Sequence, residues 1–374
     1  MNDPAPGGLA RPALDGFAAT RPLRRWVLRR VRGLVWAGVI VAYALLVFGW
    51  AWKAGDGSAR GVWSMLAFAS LVVQTFAFHG GLVLLVVWVV AAALRMKWAV
   101  LVLVPALVWT LGAGVWSWVR PLPEAPAPGQ AVLTVMSANV LYRNRDALDL
   151  IEQVDEADPD VVVVQEFSSR NHAALEAALR ERFAYAEVWS QDDAFGQAVF
   201  SRLAFASGPT VRRGGGSYHV PVIECEVEFA GRRVAVWDVH TLPPSGRNLI
   251  GKQREMAVAL GERVREELER ADGADAVVLA GDFNAPFGTN HLRELRAAGL
   301  RDAHQSAGRG RGGTWPETGP PMGWAPKIAL DHVLFSDGLR CVGARVGRAF
   351  GSDHRPVVAR LAWVRERGAS ASGE

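Results

Sequence analysis

The hydrophobic pattern divides the chain into two unlike halves. Residues 33–119 carry almost no charge and form long apolar runs. From residue 131 onward, short apolar runs alternate with charged segments of helical period. The run at 33–52 holds about twenty apolar residues, enough to span the roughly 30 Å hydrocarbon core of a bilayer. A short polar loop follows at 53–60. The stretch 62–94 has no charge and is too long for one untilted span, and His79-Gly80-Gly81 interrupts it. It reads as an interfacial segment near 62–75 followed by a span at 76–94, or as one long tilted helix. A third span is predicted at 98–118, where Pro105 is tolerated as membrane helices allow.

In the second half, 131–140, 161–166, 197–201, 220–229, 233–240, 276–283, 331–336 and 356–364 read as strands. Residues 146–156, 171–182, 249–270 and 290–298 read as helices, with Asp146 as an N-cap. Strands outnumber helices and alternate with them. This predicts two packed sheets covered by helices rather than one dinucleotide-binding sheet, and neither a glycine fingerprint nor a Walker A sequence is present.

Composition sharpens this division. A mean hydropathy of +0.12 with 50% hydrophobic residues is high for a soluble protein, and the excess lies in the first half. Most of the fifteen tryptophans fall before residue 120, as suits a membrane–water interface. The net charge of +4 owes much to Arg21, Arg24, Arg25, Arg29, Arg30 and Arg32, just before the first apolar run. That position reads as a positive-inside anchor rather than a nucleic-acid patch. With Arg95 and Lys97 between the second and third spans, both loops are expected to be cytoplasmic. Three spans then put everything after Arg120 on the extracytoplasmic side. A cleaved signal peptide fits neither the length of the first run nor its repetition.

The expected organisation is an Arg-rich tail (1–32), a transmembrane region (33–119), a Pro-rich linker (120–130), a catalytic domain (131–366) and a frayed tail (367–374). Two cysteines, Cys225 and Cys341, are too few for a zinc finger or an iron–sulfur cluster. They read as buried thiols, with a disulfide left open.

Several apolar runs end on short polar signatures: Ser137-Ala138-Asn139-Val140, Gln165-Glu166, Asp238-Val239-His240, Gly281-Asp282-Phe283-Asn284, Leu330-Asp331-His332 and Gly351-Ser352-Asp353-His354. Strand ends brought together can build a metal and acid–base site on a rigid scaffold. Asp282 and Asn284, two apart on an extended segment, point to one side and Phe283 to the core. Asp282 can orient or deprotonate a water, and the Asn284 amide can donate to an oxyanion. Glu166 closes a run of valines, and a buried acid must be hydrated, paired or given a metal. The Asn139 amide oxygen is a candidate for the same cation shell. Hard oxygen donors of this kind suit Mg²⁺ or Mn²⁺ rather than zinc. His354 can protonate or stabilise a phosphoryl oxygen, with Asp331 as the acid that orients it. His240 is a second imidazole at a strand end, and His332 reads as structural. A Gly/Pro-rich loop bearing Trp315, Met322 and Trp324 is a candidate lipid contact.

The order of Asn139, Gln165-Glu166, Gly281-Asp282-Phe283-Asn284 and Ser352-Asp353-His354 resembles the endonuclease/exonuclease/phosphatase superfamily over about residues 131–366. The resemblance implies a four-layer α/β (α+β) sandwich that cleaves phosphoesters with Mg²⁺, Mn²⁺ being the alternative. It implies metal-binding roles for Asn139 and Glu166 and a metal or supporting role for Asp353. It further implies that Asp282 orients the water, Asn284 holds the transition-state oxygens, His354 and Asp331 form the acid–base pair and His240 touches the phosphate. Val140-Leu141-Tyr142 stand where some relatives carry an acid, which points to a one-metal site centred on Glu166.

The whole layout resembles the membrane-anchored branch of that superfamily, which includes vancomycin- and teicoplanin-resistance membrane proteins. The resulting expectation is an extracytoplasmic phosphoesterase held at the bilayer, acting on a lipid-linked phosphate or pyrophosphate, with no stable nucleic-acid partner. The alternatives are an extracytoplasmic nuclease, a sphingomyelinase-like phospholipid phosphodiesterase and a non-catalytic binding module. The sequence carries no indication of oligomeric state.

Overall fold

The computed structural model describes residues 20–51, 61–213, 220–244, 249–317 and 322–364. The polar loop at 53–60, the tail at 367–374 and the part of the Arg-rich segment before Thr20 lie outside the described residues.

Four helices come first: α1 (Thr20–Ala51), α2 (Val62–Thr75), α3 (Ala77–Ala93) and α4 (Lys97–Val119). α1 and α4 are each long and apolar enough to cross a membrane. α2 and α3 are bent by 63° at the break between them and would make a third crossing if taken together. Arg32 donates to the Leu94 carbonyl at 3.2 Å, which puts the basic start of α1 beside the α3–α4 turn. The opposite end of the bundle meets the second half of the chain. There the buried Gln74 amide donates to the Gly49 carbonyl (2.9 Å), and its oxygen accepts from the Asn290 N–H (2.8 Å). An amide buried in a helix without charge needs such partners, and here they join α1, α2 and the sandwich. Arg120 adds hydrogen bonds to the carbonyls of His304, Gln305 and Gly308.

The second half folds as two six-stranded sheets packed face to face and flanked by helices. Its elements in chain order are β1 (Leu133–Asn139), α5 (Asp149–Ala157), β2 (Val161–Gln165), α6 (Ala173–Arg180), β3 (Tyr185–Trp189), β4 (Gln197–Ser201), β5 (Phe205–Arg213), β6 (Pro221–Phe229) and β7 (Arg232–His240). There follow α7 (Leu249–Glu269), β8 (Ala276–Asp282), α8 (Arg293–Ala297), β9 (Arg301–Asp302), α9 (Ala303–Ala307), β10 (Asp331–Phe335), β11 (Leu339–Val346) and β12 (Val357–Trp363). The first sheet runs β11-β12-β1-β2-β4-β3 and the second β5-β6-β7-β8-β10-β9. This is the α/β sandwich that the alternation of runs predicts.

Between the sheets lie Val135 and Val163 from one side and Val236 and Val278 from the other. α5 and α6 cover the outer face of the first sheet. α7 and α8 cover the second, in a cluster that also takes in Ala67 and Leu71 of α2. A helix of the apolar N-terminal half thus shares the hydrophobic core of the sandwich. Cys225 and Cys341 are free and buried.

Some elements depart from the sequence pattern. β3 is a half-exposed edge strand with no alternation to read. A bulge between Cys341 and Gly343 resets the period of β11. Asp146 is not an N-cap, because α5 starts at Asp149 behind Leu148. The expected helix at 290–298 begins as a 3₁₀ turn, Asn290–Leu292, before α8.

Two parallel pairings set the site. β1 and β2 end together, with Asn139 opposite Gln165. β7 and β8 end together, with His240 opposite Asp282. β10 runs antiparallel to β8, so its first residue, Asp331, also faces Asp282. The sharp turn out of β8 needs Gly281, which has φ +150°. A Cβ there would lie 1.8 Å from the Val239 carbonyl oxygen. Gly281→Ala is therefore expected to destabilise the fold by roughly 2–3 kcal/mol, read as a lowered unfolding temperature.

Candidate active site

Asp282 is the buried centre of the site. Its Oδ1 accepts from the Asn284 N–H at 2.8 Å, and its Oδ2 accepts from Asn139 Nδ2 at 3.1 Å. The Nε2 atoms of His240 and His354 stand 3.6 and 3.7 Å from Oδ2. Burial pushes Asp282 up to about 6 against the pull of the two imidazoles. His354 Nδ1 lies 2.8 Å from Asp331 Oδ2. Burial opposes charge on His354, but Asp331 and Asp282 outweigh it and push the imidazole up to about 10. At neutral pH the arrangement holds a carboxylate at Asp282 beside an imidazolium at His354, which Asp331 keeps oriented.

Three residues other than glycine take left-handed backbone here: Leu141 (φ 60°), Glu166 (φ 58°) and Asn284 (φ 50°). Such strain costs about 1–3 kcal/mol per residue and gathers at functional sites. The turn at Glu166 redirects its side chain from the line of β2 into the cavity. The turn at Asn284 brings that side chain back beside Asp282, so the two share a face through a kink rather than through extended alternation. Asn284 is then held by its Nδ2 on the Thr241 carbonyl (2.8 Å) and by Gln253 Nε2 on its own carbonyl (3.1 Å). Phe283 is fully buried.

The structure brings Glu166, His240, Asp282, Asn284, Asp353 and His354 onto one cavity of about 450 Å³. Asn139 and Asp331 stand immediately behind it. Asn139, whose amide oxygen was expected to face a cation, is engaged at both ends of its amide. Oδ1 accepts from the Leu141 N–H at 3.0 Å, because the left-handed turn at Leu141 folds the backbone onto it. Its Nδ2 instead donates to both Glu166 (3.1 Å) and Asp282, so Asn139 orients two acids. His332 pairs with Asp302 at 2.7 Å, away from the cavity.

A divalent cation suits the donors that remain. Glu166 and Asp353 both line the cavity. Asp353 Oδ2 accepts from Trp315 Nε1 at 3.2 Å, while its Oδ1 is buried without a hydrogen-bond partner. A bare carboxylate oxygen in a cavity that a second carboxylate also lines has the hard-oxygen chemistry that suits a divalent cation. Asp282, Asp331 and His354 also present ligand atoms within 4.8 Å of one another. The 2.8 Å bond between His354 and Asp331 makes that trio a proton relay first.

The sequence pattern did not point to the residues that wall the cavity. Phe68, Leu71, Val72, Thr75 and Phe76, around α2, form one side and Phe195 another. The available signal was the polar stripe Ser64, Ser70 and Gln74 in a run without charge, all three buried. It marks the face of α2 that packs on protein. Trp315 lines the cavity, whereas Trp324 on the same loop is 80% exposed.

A two-sheet sandwich with this relay at its strand ends is a phosphoester hydrolase in design. The chain belongs to the endonuclease/exonuclease/phosphatase family, whose sequence model matches residues 136–354, more than half of its length. Its fold is similar to that of truncated TDP2 from Caenorhabditis elegans, at 20% identity and a TM-score of 0.50, covering 62% of this chain and 98% of that one. TDP2 from D. rerio, complexed with a single-strand DNA product, is similar at 16% identity and a TM-score of 0.51, covering 62% and 99%. An endonuclease/exonuclease/phosphatase from Beutenbergia cavernae matches at 20% identity and a TM-score of 0.47, covering 62% and 72%. No curated protein matches the chain by sequence.

The charge states imply a bell-shaped pH profile. Asp282 must lose its proton to act on water, so kcat/KM is expected to rise through about pH 6. His354 must keep its proton, so the rate falls toward pH 10. Asp331→Asn removes a charge that favours the imidazolium and also raises Asp282, so it should move both limbs to lower pH.

Proposed function

We propose that the protein is a membrane-anchored phosphoesterase, dependent on Mg²⁺ or Mn²⁺, that hydrolyses a lipid-linked phosphate or pyrophosphate on the extracytoplasmic face of the membrane. One observation carries this reading. The cavity holding Asp282 and His354 is completed by apolar side chains of a helix from the membrane half, Phe68, Leu71, Val72 and Phe76. A headgroup in such a cavity has its hydrocarbon beside an apolar wall rather than in water.

Asp282 positions the attacking water, with Oδ2 facing the cavity between two imidazoles. His354 gives positive charge or a proton to the phosphate oxygens, and His240 stands on the opposite flank of Asp282. The Asn284 side chain lines the same cavity. A cation held by Glu166 and Asp353 supplies further positive charge to the phosphate oxygens. Sidedness is supported by the charge pattern, since Arg32 and the α3–α4 turn meet at the end of the bundle away from the sandwich.

A nuclease reading has the fold in its favour, and it predicts a basic surface free to meet phosphates. Three of the arginines that could contribute to one are in ion pairs: Arg212 with Glu224 (2.8 Å), Arg232 with Asp275 (3.5 Å) and Arg233 with Glu226 (3.5 Å).

The test uses the full-length protein with Mg²⁺ on undecaprenyl pyrophosphate, phospholipid, a dinucleotide ester and DNA. Turnover of a lipid substrate is expected, lowered about a hundredfold or more by Asp282→Ala and by His354→Ala. Equal rates in wild type and variants would refute the assigned chemistry, and turnover confined to DNA would favour the nuclease. An alkaline-phosphatase fusion after Arg120 is expected to be active in cells; an expressed but inactive fusion would reverse the topology.

A further inference from the structure

A second cavity, of about 480 Å³, lies within the membrane half, between α1 and α3. Gly38, Ala42 and Leu45 line it from α1, and Ala77, Gly80 and Val87 from α3. Thr110 is the polar side chain on its wall, and its hydroxyl is spent on the Ala106 carbonyl at 2.7 Å. The groove therefore offers hydrocarbon surface and no free polar group.

Val72 and Phe76 line both this groove and the active-site cavity. The two cavities are neighbours at the α2–α3 break, where the chain bends by 63°. From Ala77 to Val87 the groove follows α3 for about 15 Å at 1.5 Å per residue. That is about half of the roughly 30 Å hydrocarbon core, the depth of one leaflet. Its upper end is bounded by Val72 and Phe76, which also line the cavity of Asp282 and His354, and its walls follow α1 and α3.

We propose that this groove holds the hydrocarbon chain of the substrate, so that one lipid of the adjacent leaflet is bound with its phosphate at Asp282 and its tail between α1 and α3. The inference rests on the phosphoesterase reading and adds a specificity site to it. A bilayer already solvates a tail, so the groove contributes little through hydrophobic transfer. Its contribution is positional, because a seated tail holds the phosphate against the catalytic groups.

Two glycines allow the groove to be blocked. A Cβ at Gly80 meets nothing within 4 Å, and one at Gly38 meets only Val87 Cγ1 at 3.9 Å. Gly80→Phe and Gly38→Leu therefore fill the groove from opposite walls without backbone strain. Full-length protein in mixed micelles is assayed on hexadecyl and ethyl p-nitrophenyl phosphate. The readout is the ratio of kcat/KM for the two esters, which an inactive fraction of enzyme leaves unchanged. Micelle partitioning of each ester cancels between wild type and variant. Each variant is expected to lower the ratio on the order of tenfold, and to weaken binding of hexadecylphosphonate in parallel.

A ratio and a hexadecylphosphonate affinity unchanged in both variants would overturn the groove and leave the phosphoesterase standing. Binding of hexadecylphosphonate that both variants weaken, with wild type turning over neither ester, nor hexadecyl phosphate, nor undecaprenyl pyrophosphate, would keep the groove and overturn the phosphoesterase. A dimer present in wild type and lost in both variants, with the ratio unchanged, would make the groove a seat for a second copy and overturn the lipid assignment.

Discussion

A buried carboxylate at Asp282 constrains everything around it. An ionised acid taken out of water needs hydrogen-bond donors and positive charge. Here they come from both sheets: Asn139 from β1, His240 from the end of β7, and His354 from the loop before β12, with the backbone N–H of Asn284 closing the shell. Asn139 reaches across the interface between the sheets to do this. Lose the packing of one sheet on the other and the charge loses its partners. The core of facing valines is thus also what keeps the groups of the candidate site in place.

The same interface carries a second buried acid. Gln165 Nε2 donates to Asp238 Oδ1 at 2.7 Å, from β2 to β7. Burial raises Asp238 well above the usual carboxylate range, despite the hydrogen bond from Gln165. Asp238 and His240, two residues apart, share one face of β7; Asp238 sits one step back from the strand end, within the core. Asp282 faces a cavity and two imidazoles, while Asp238 faces an amide in the core.

The junction with the helical half changes the character of the site. Leu71 enters the core of the sandwich, Gln74 bonds to Asn290, and Val72 and Phe76 face two cavities. α2 is therefore a wall of the candidate site as well as a part of the apolar helical half. A family fold whose solved relatives cover only 62% of this chain gains from the remainder an apolar side that its own sheets do not supply.

Much of this was legible from residue order. The strand ends carrying Asn139, Glu166, His240, Asp282, Asp331 and His354 stand out because each closes an apolar run, and a strand end is where a polar side chain can leave the core. The charge-free helices were equally plain, since length and hydropathy are local properties. β3 and β11 were hidden because edge exposure and a bulge erase alternation. The orientation of the Asn139 amide depended on a left-handed turn at Leu141, which neighbouring residues do not announce. The convergence of the site depended on the parallel register of β1 with β2 and of β7 with β8, which is a long-range choice. The sequence alone determined which side chains could do chemistry and which helices were apolar enough to enter a bilayer, because both are properties of short segments. Only the tertiary structure decided that the two meet at α2, because packing between residues more than two hundred positions apart is set by the shape of the whole core.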